Sequence, residues 1–178
     1  MADKFFFYPI LMETGFSEDV FLDIKIRPAE PTDLEKIYVV EKLSFKYPYS
    51  RRLLSYLILH ASVFLVAEFR GEIIGYVCGA IEKRDCIYGH IYSIAVHPNH
   101  RRKGVGKALM MRAIEIFKTH GARKIILECR VSNMAAIRFY RKLGFRMAGI
   151  IRRYYRDGED ALVMELTINE NSGRKMVA

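Results

Sequence analysis

Tryptophan is absent from this 178-residue chain, and cysteine is scarce, with three residues. Cys78, Cys86 and Cys129 are odd in number and form no CxxC pair, so neither a disulfide framework nor a zinc site is expected. The five histidines (His60, His90, His97, His100 and His120) show no ligand spacing either, and no metal is called for. Long apolar runs are also missing. The N-terminal FFFYPILM stops at Glu13, too short to cross a bilayer and without the small-residue cleavage site of a signal peptide. The expectation is a soluble, cytoplasmic protein with no membrane partner. Acidic residues are short as well: 20 Asp and Glu stand against 29 Lys and Arg, a net charge of +9. That balance invites a polyanion, but no RNA-recognition signature or zinc finger accompanies it. Much of the surplus lies between Arg101 and Lys107, or in Arg138, Arg141, Arg146, Arg152, Arg153 and Arg156. Specific nucleic-acid binding is therefore not expected, although a basic surface favours encounters with ribosomes or acidic peptides.

What the chain does have is a distinctive stretch from Gly89 to Lys107, GHIYSIAVHPNHRRKGVGK. His90 to Val96 is apolar and β-branched enough for a buried strand. Pro98 ends it, because proline cannot donate to a ladder. Arg101, Arg102, Lys103, Gly104, Val105, Gly106 and Lys107 follow, and an amphipathic helix begins at once. Two glycines at a strand-to-helix turn let backbone N–H groups approach a ligand, with the positive helix end behind them. Four cations within seven residues suit a ligand carrying at least two negative charges, such as a pyrophosphate. The bland alternative is a tight turn with a solvated basic face.

The rest of the chain supplies a regular set of elements. Residues 1–23 are apolar and aromatic without a clean period, an N-terminal extension packed on the domain or contributing to a dimer contact. Asp23 to Arg27 alternates as a first strand. Thr32 to Glu35 reads as a capping box opening a helix from Asp33 to Ser44. Ser50 caps a second helix to His60 with Leu53, Leu54, Leu57 and Ile58 inward. Ser62–Phe69 and Glu72–Ile81 form a hairpin across Arg70-Gly71. The helix after the glycine turn buries Val105, Leu109, Ala113, Ile116 and Phe117 and stops at Gly121. Lys124–Val131 is a buried strand, Ser132 caps a helix from Asn133 to Leu143, and Phe145–Arg153 with Ala161–Thr167 make a closing hairpin. Residues 169–178 are polar and without period, a frayed tail. Seven strands and four helices in the order β-α-α-β-β-β-α-β-α-β-β specify an α/β fold, helices covering both faces of a mixed, mostly antiparallel twisted sheet.

The order strand, proline, Arg-x-x-Gly-x-Gly, helix resembles the acetyl-coenzyme A signature of the GNAT superfamily of N-acetyltransferases, and the resemblance covers roughly residues 24–168. EKLSFKYPYS (Glu41–Ser50), GHIYSIAV (Gly89–Val96), ECRVSNMAAIRFY (Glu128–Tyr140) and YYRDGEDALVM (Tyr154–Met164) are similar to the RimI-like branch, which acetylates protein N-termini. The resemblance implies a GNAT fold, acetyl-CoA as cofactor, and protein or peptide N-termini as substrates. One departure stands out: a tryptophan often found in the first segment is Tyr49 here.

The chemistry can also be argued from the residues. Moving an acetyl group from a thioester to an amine requires a neutral amine, a polarised carbonyl and a proton for the leaving thiolate. Backbone N–H groups near Val96 can stabilise a developing oxyanion, and the strand edge at Ile94, Ala95 and Val96 can hydrogen-bond an extended pantetheine arm. Tyr140, in the last turn of its helix, is the candidate acid; its alternative is ordinary packing beside Ala136 and Ile137. Asn133 is a candidate pantetheine contact, or part of the helix cap. Glu128 lies in the apolar run IILECRV, where a carboxylate must be paired or functional. Partial burial would raise its pKa and suit it as a base. An ion pair with Arg130 is its structural alternative. His90 is a second candidate base, and it shares a strand face with Tyr92, so the two can line a water chain to the amine.

An N-terminal α-amine, with a pKa of about 7.7–8.0, is roughly one-tenth neutral at pH 7, whereas a lysine at about 10.4 is neutral about four times in ten thousand. A site with no dedicated strong base suits the first. Tyr154 and Tyr155, facing Phe45, Tyr47 and Tyr49, would wall a slot around the first peptide residues. The reading is direct transfer in a ternary complex by a monomer or weak homodimer. Two alternatives remain: a GNAT enzyme acetylating lysine side chains or a small amine, and a non-catalytic basic RNA- or ribosome-binding module.

Overall fold

The computed structural model describes residues 24–168; the expectations for residues 1–23 and 169–178 lie outside them. Seven strands form one sheet in the order β1-β2-β3-β4-β5-β7-β6. They are β1 (Ile24–Pro28), β2 (Val63–Phe69), β3 (Glu72–Lys83), β4 (Ile87–Val96), β5 (Lys124–Arg130), β6 (Arg146–Ile151) and β7 (Ala161–Thr167). The helices are α1 (Leu34–Ser44), α2 (Arg51–His60), α3 (Val105–Thr119) and α4 (Met134–Lys142). Count and order are as the sequence pattern specifies.

Neighbouring strands run antiparallel except β4 and β5, which need a crossover, and α3 supplies it. β2 and β3 read as unbroken apolar runs because helices cover both of their faces. On one face α1 and α2 bury Ile37, Val40, Leu54 and Leu57 against Phe64, Val66, Tyr76 and Ala95. On the other, α3 buries Val105, Leu109, Met110, Ala113, Ile114 and Phe117, joined by Ile137 and Tyr140 of α4. Each large side chain so buried contributes about 1.5–3 kcal/mol, an upper figure because the unfolded chain is itself partly compact. Arg70 (φ +51°) and Gly71 (φ +80°) make the β2–β3 turn, the left-handed pair that matches strand twist.

Local details differ from expectation in four places. Asp33, not Thr32, organises the start of α1: a 3₁₀ turn at Pro31–Asp33 precedes it, and the Asp33 carboxylate accepts from the Glu30 N–H at 2.8 Å and pairs with Arg27. Glu35 is drawn instead to Arg51, 2.8 Å away. Leu53 is 39 % exposed, since α2 presents only Leu54, Leu57 and part of Ile58 inward. Ile116 lies at the margin of the core, its expected place taken by Met110 and Ile114. Asn133, not Ser132, caps α4, its side-chain oxygen accepting from Ala136 N–H at 3.0 Å.

A bulge re-aims β4. Cys78 pairs with Ser93 and Gly79 with Ile91, leaving Tyr92 as an extra residue. Gly79 permits the crowding this creates: a Cβ there would lie 2.3 Å from the His90 carbonyl oxygen. Beyond the bulge the alternation changes phase. Ser93 and Ala95 turn to the α1 side, where Ser93 Oγ meets Tyr76 Oη at 2.9 Å, and Ile94 and Val96 pack toward α3.

Candidate active site

At the bulge the sheet divides. β4 and β5 are paired only from Tyr88–Lys124 to Ile91–Leu127, although β4 continues to Val96 and β5 to Arg130. From Tyr92 to Val96 no strand among the described residues pairs along the β5 side of β4, and a wedge opens there. Ile94, Ala95 and Val96 make up the β4 side of it, and the Val96 carbonyl already accepts from Arg101 Nε at 2.9 Å.

Below the wedge stands the amino end of α3. Gly104 is its N-cap in a left-handed conformation (φ +76°) and offers no side-chain cap. Ala108 N–H is the first to find an acceptor, Gly104 O at 3.0 Å. Among the described residues the N–H groups of Val105, Gly106 and Lys107 have none, and open N–H groups backed by a helix dipole suit an anion. A Cβ on Gly106 would meet Phe139 and Val96 at no less than 3.5 Å. The protein itself leaves room for a side chain, so the bare backbone serves close approach from outside. The residues present therefore fit a phosphate-bearing ligand with an extended arm. Arg102, Lys103 and Lys107 are unpaired among the described residues. Arg101 is not: its Nε donates to Val96 O at 2.9 Å and its Nη2 to Ser44 Oγ at 3.3 Å. It ties the loop to the strand end rather than lying open beside Arg102.

Glu128 and His90 come together where the strands part. His90 Nε2 lies 2.9 Å from Glu128 Oε2, and its Nδ1 lies 3.2 Å from Glu82 Oε1. Burial pushes the imidazole pKa down, but the hydrogen bonds and charges of Glu128 and Glu82 outweigh it, and His90 is held above its ordinary value. Arg130 is not the partner of Glu128. Neighbours on a strand face opposite ways, and Arg130 pairs with Asp157 and Glu159 at 2.9 and 2.6 Å. Tyr92 stacks edge-on against His90 with ring centroids 5.0 Å apart, so the two do share a face.

Tyr140 reaches the site from α4. Its ring is buried against Phe139 and Phe145, in the core cluster that holds Ile137 and against which Ala136 packs. Its hydroxyl forms no hydrogen bond among the described residues, yet no buried side-chain oxygen or nitrogen among them lacks a partner. The oxygen is therefore not wholly sealed, although the residue as a whole is only 7 % exposed. Burial pushes its pKa well up, with the neighbouring Cys129 and Tyr155 adding to the shift. A phenol near 10 gives its proton to a thiolate near 8.5 uphill, and burial makes this steeper, so any transfer must accompany sulfur departure. Asn133 has its side-chain oxygen occupied in capping α4, leaving only the amide N–H₂ for a ligand.

Of the aromatic residues, Tyr49, Tyr92, Tyr154 and Tyr155 gather beside this point. Tyr154 and Tyr155 lie edge-on, centroids 5.1 Å apart. Arg130 stacks 4.0 Å over Tyr155, and burial pushes the Tyr155 hydroxyl up to about 12. Lys46 reaches Asp157 at 3.8 Å, bridging the α1–α2 loop to the β6–β7 loop. Tyr49 donates to the Tyr92 carbonyl at 3.4 Å. Phe45, Tyr47, Tyr92 and Tyr154 are 37–50 % exposed, a large apolar surface for one site.

Two residues escaped the sequence reading. Glu82 joins β3 to the cluster, accepting from Tyr88 Oη at 2.5 Å and Tyr92 Oη at 3.2 Å as well as facing His90. The pattern Tyr-x-His-x-Tyr opposite a strand-end acid was its available signal. Glu41 is buried; it accepts from Tyr76 Oη and from Tyr49 N–H at 2.7 Å, and burial pushes its pKa up. It fixes the loop that carries Tyr49. A carboxylate on the core stripe of α1, four residues after Ile37, was the cue.

Residues 32–145 match the Acetyltransferase (GNAT) family, and the chain belongs to that family of acetyl-transferring enzymes. It is 37 % identical over 158 residues to the N-alpha-acetyltransferase of Sulfurisphaera tokodaii, covering 80 % of this chain and 92 % of that one. It is 31 % identical to the ribosomal protein bS18-alanine N-acetyltransferase of Escherichia coli, covering 81 % and 97 %. The structure of Ard1 from Thermoplasma volcanium superposes with a TM-score of 0.78 at 30 % identity, over 83 % of this chain and 99 % of that one. The RimI-like resemblance is borne out, and so are the fold and the enzyme class. No helix among the described residues is long and apolar enough to cross a membrane, and no group of three or more potential ligand side chains among them could hold a metal ion.

Proposed function

We propose that this protein is an acetyl-CoA-dependent N-terminal α-acetyltransferase acting on protein chains, ribosomal or other nascent proteins among them. The observation that carries the proposal is the Glu128–His90 contact, 2.9 Å long, at the head of the β4–β5 wedge and beside the slot of Tyr49, Tyr92, Tyr154 and Tyr155. The names of the S. tokodaii and E. coli relatives point the same way. Acetyl-CoA supplies an activated acetyl thioester. Val105, Gly106 and Lys107 N–H, with Arg102, Lys103 and Lys107 side chains, hold its phosphates, and the edge from Ile94 to Val96 lines up its extended arm.

Glu128 receives the amine proton, directly or through a water shared with His90, in a complex that holds both substrates. Tyr140 delivers a proton to sulfur as the carbon–sulfur bond breaks. Lys46 approaches Asp157 at 3.8 Å between the two loops that flank the slot; a slot narrowed at that end would admit a chain terminus and exclude a lysine in mid-chain. The test is mass spectrometry of products from a peptide carrying both a free N-terminus and an internal lysine. Acetylation confined to the α-amine supports the reading; predominant lysine acetylation overturns it in favour of a side-chain acetyltransferase.

A further inference from the structure

Glu82 lies on the far side of His90 from Glu128, and nothing in the transfer reaction itself requires it. Its carboxylate nonetheless takes three contacts from β4: Tyr88 Oη at 2.5 Å, Tyr92 Oη at 3.2 Å and His90 Nδ1 at 3.2 Å. Its side chain is 30 % exposed, against 13 % for Glu128 and 21 % for His90. Exposure thus rises from Glu128 through the imidazole to Glu82. The three groups form one line, from the head of the wedge to open solvent.

We propose that Glu82 is a positioning residue that fixes the ring of His90 and forms the outlet through which the amine's proton reaches solvent. The proposal rests on Glu128 being the base. A proton bound by Glu128 after attack must leave before the next turnover, and the bound substrates cover the route through the slot. With His90 held between two carboxylates, Glu128 passes its new proton to His90 Nε2 as His90 Nδ1 gives one to Glu82 and then to water; once product leaves, water takes the Nε2 proton and returns one to Nδ1, restoring the starting tautomer. The charge of the three-group cluster is the same before and after. A carboxylate on the outer nitrogen of a histidine also sets its orientation, as in carboxylate–histidine pairs elsewhere. The other groups facing the cluster are the hydroxyls of Tyr88 and Tyr92 on Glu82, and those of Tyr154 and Tyr155 near Glu128. Arg84 and Lys124 stand near Tyr88. None supplies a second acceptor for His90 Nδ1.

The experiment compares wild type, Glu82→Gln and Glu82→Asp in steady-state kinetics with a free-N-terminus peptide, while varying imidazole buffer at fixed pH and ionic strength. Glu82→Gln is expected to lower kcat at least about tenfold with little change in peptide KM. Added imidazole should restore turnover, because a small buffer replaces a missing proton acceptor but does not repair a misfolded site. Glu82→Asp, which keeps the charge, should lie between the two. Side-chain NMR of His90 gives a readout independent of activity: its pKa should fall by about one unit in Glu82→Gln as one of two neighbouring carboxylates is lost. Wild-type kcat in Glu82→Gln, or a loss that no buffer concentration relieves with an unchanged His90 titration, overturns the proposal. Failure of the N-terminal reading is distinguishable, because it appears as lysine acetylation by the wild type while the His90 titration still responds to Glu82→Gln.

Discussion

Gly79→Ala puts a single methyl where the β3–β4 bulge has no space for one. The added Cβ would stand 2.3 Å from the His90 carbonyl oxygen and 3.1 Å from both His90 C and Ile91 Cα. Ordinary contact begins at 3.4 Å, so the backbone at His90 must retreat by about 1 Å. These are main-chain atoms in a paired strand, and no side-chain rotation relieves them. His90 carries the 2.9 Å contact to Glu128, and a displacement of about 1 Å in a catalytic arrangement costs on the order of 100-fold in rate. The stability cost of such overpacking is about 1–3 kcal/mol, or roughly 2–4 °C of Tm per kcal/mol for a chain of this size. The assay is kcat and kcat/KM for peptide acetylation beside a thermal melt. Gly149→Ala is the control, since nothing lies within 4 Å of a Cβ there, and it should behave as wild type in both measurements. Wild-type kcat in Gly79→Ala would refute the argument that the bulge sets the position of His90.

Tyr140→Phe keeps the ring contacts with Phe139 and Phe145 and removes a hydroxyl with no partner among the described residues; Tm should hold while kcat falls about 10²–10⁴-fold. A large drop in Tm with near-normal turnover would reduce Tyr140 to packing. Gly106→Ala should leave the melt unchanged or raise it, since alanine is favoured over glycine in a helix by up to about 1 kcal/mol. It should weaken CoA binding in calorimetry, and equal affinity would count against backbone approach at that turn. Glu128→Gln should lose activity at pH 7 and recover about tenfold toward pH 9. The sign follows from the substrate: an α-amine of pKa about 8 goes from one-tenth neutral to nine-tenths neutral without help. A flat pH profile for that variant would remove Glu128 as the base.

The element order was legible because its signals are local. β-branched runs mark β2 to β5, left-handed positions at Gly71, Gly121 and Gly144 mark the turns, and Ser50 caps α2 with a 3.2 Å hydrogen bond from Leu53 N–H. Glu128 and His90 were legible for a different reason: a carboxylate in an apolar strand, and a histidine opening the strand beside the glycine turn, each demand a partner. What could not be read is what depends on strand pairing. A strict two-residue period puts Ile91, Ser93 and Ala95 on one face, but the extra residue at Tyr92 sends Ser93 and Ala95 to the other. Glu82 meets His90 only through the β3–β4 register. The inward turn of Arg101 toward Val96 and Ser44 is likewise a tertiary choice that its motif does not encode.

The short reach of the β4–β5 ladder means that β1–β4 and β5–β7 are two half-sheets joined along an edge by four residue pairs, Tyr88–Lys124 to Ile91–Leu127. An arm lying in the wedge would act as a splint between the halves, beside the Val96 carbonyl that Arg101 already holds. Loading the donor would thus stiffen the same joint that carries His90 and Glu128, the two proposed proton acceptors, when there is an acetyl group to transfer. Amide hydrogen exchange at Ile94 to Val96 should slow on loading by far more than at β1 or β2, making the joint itself a reporter of occupancy.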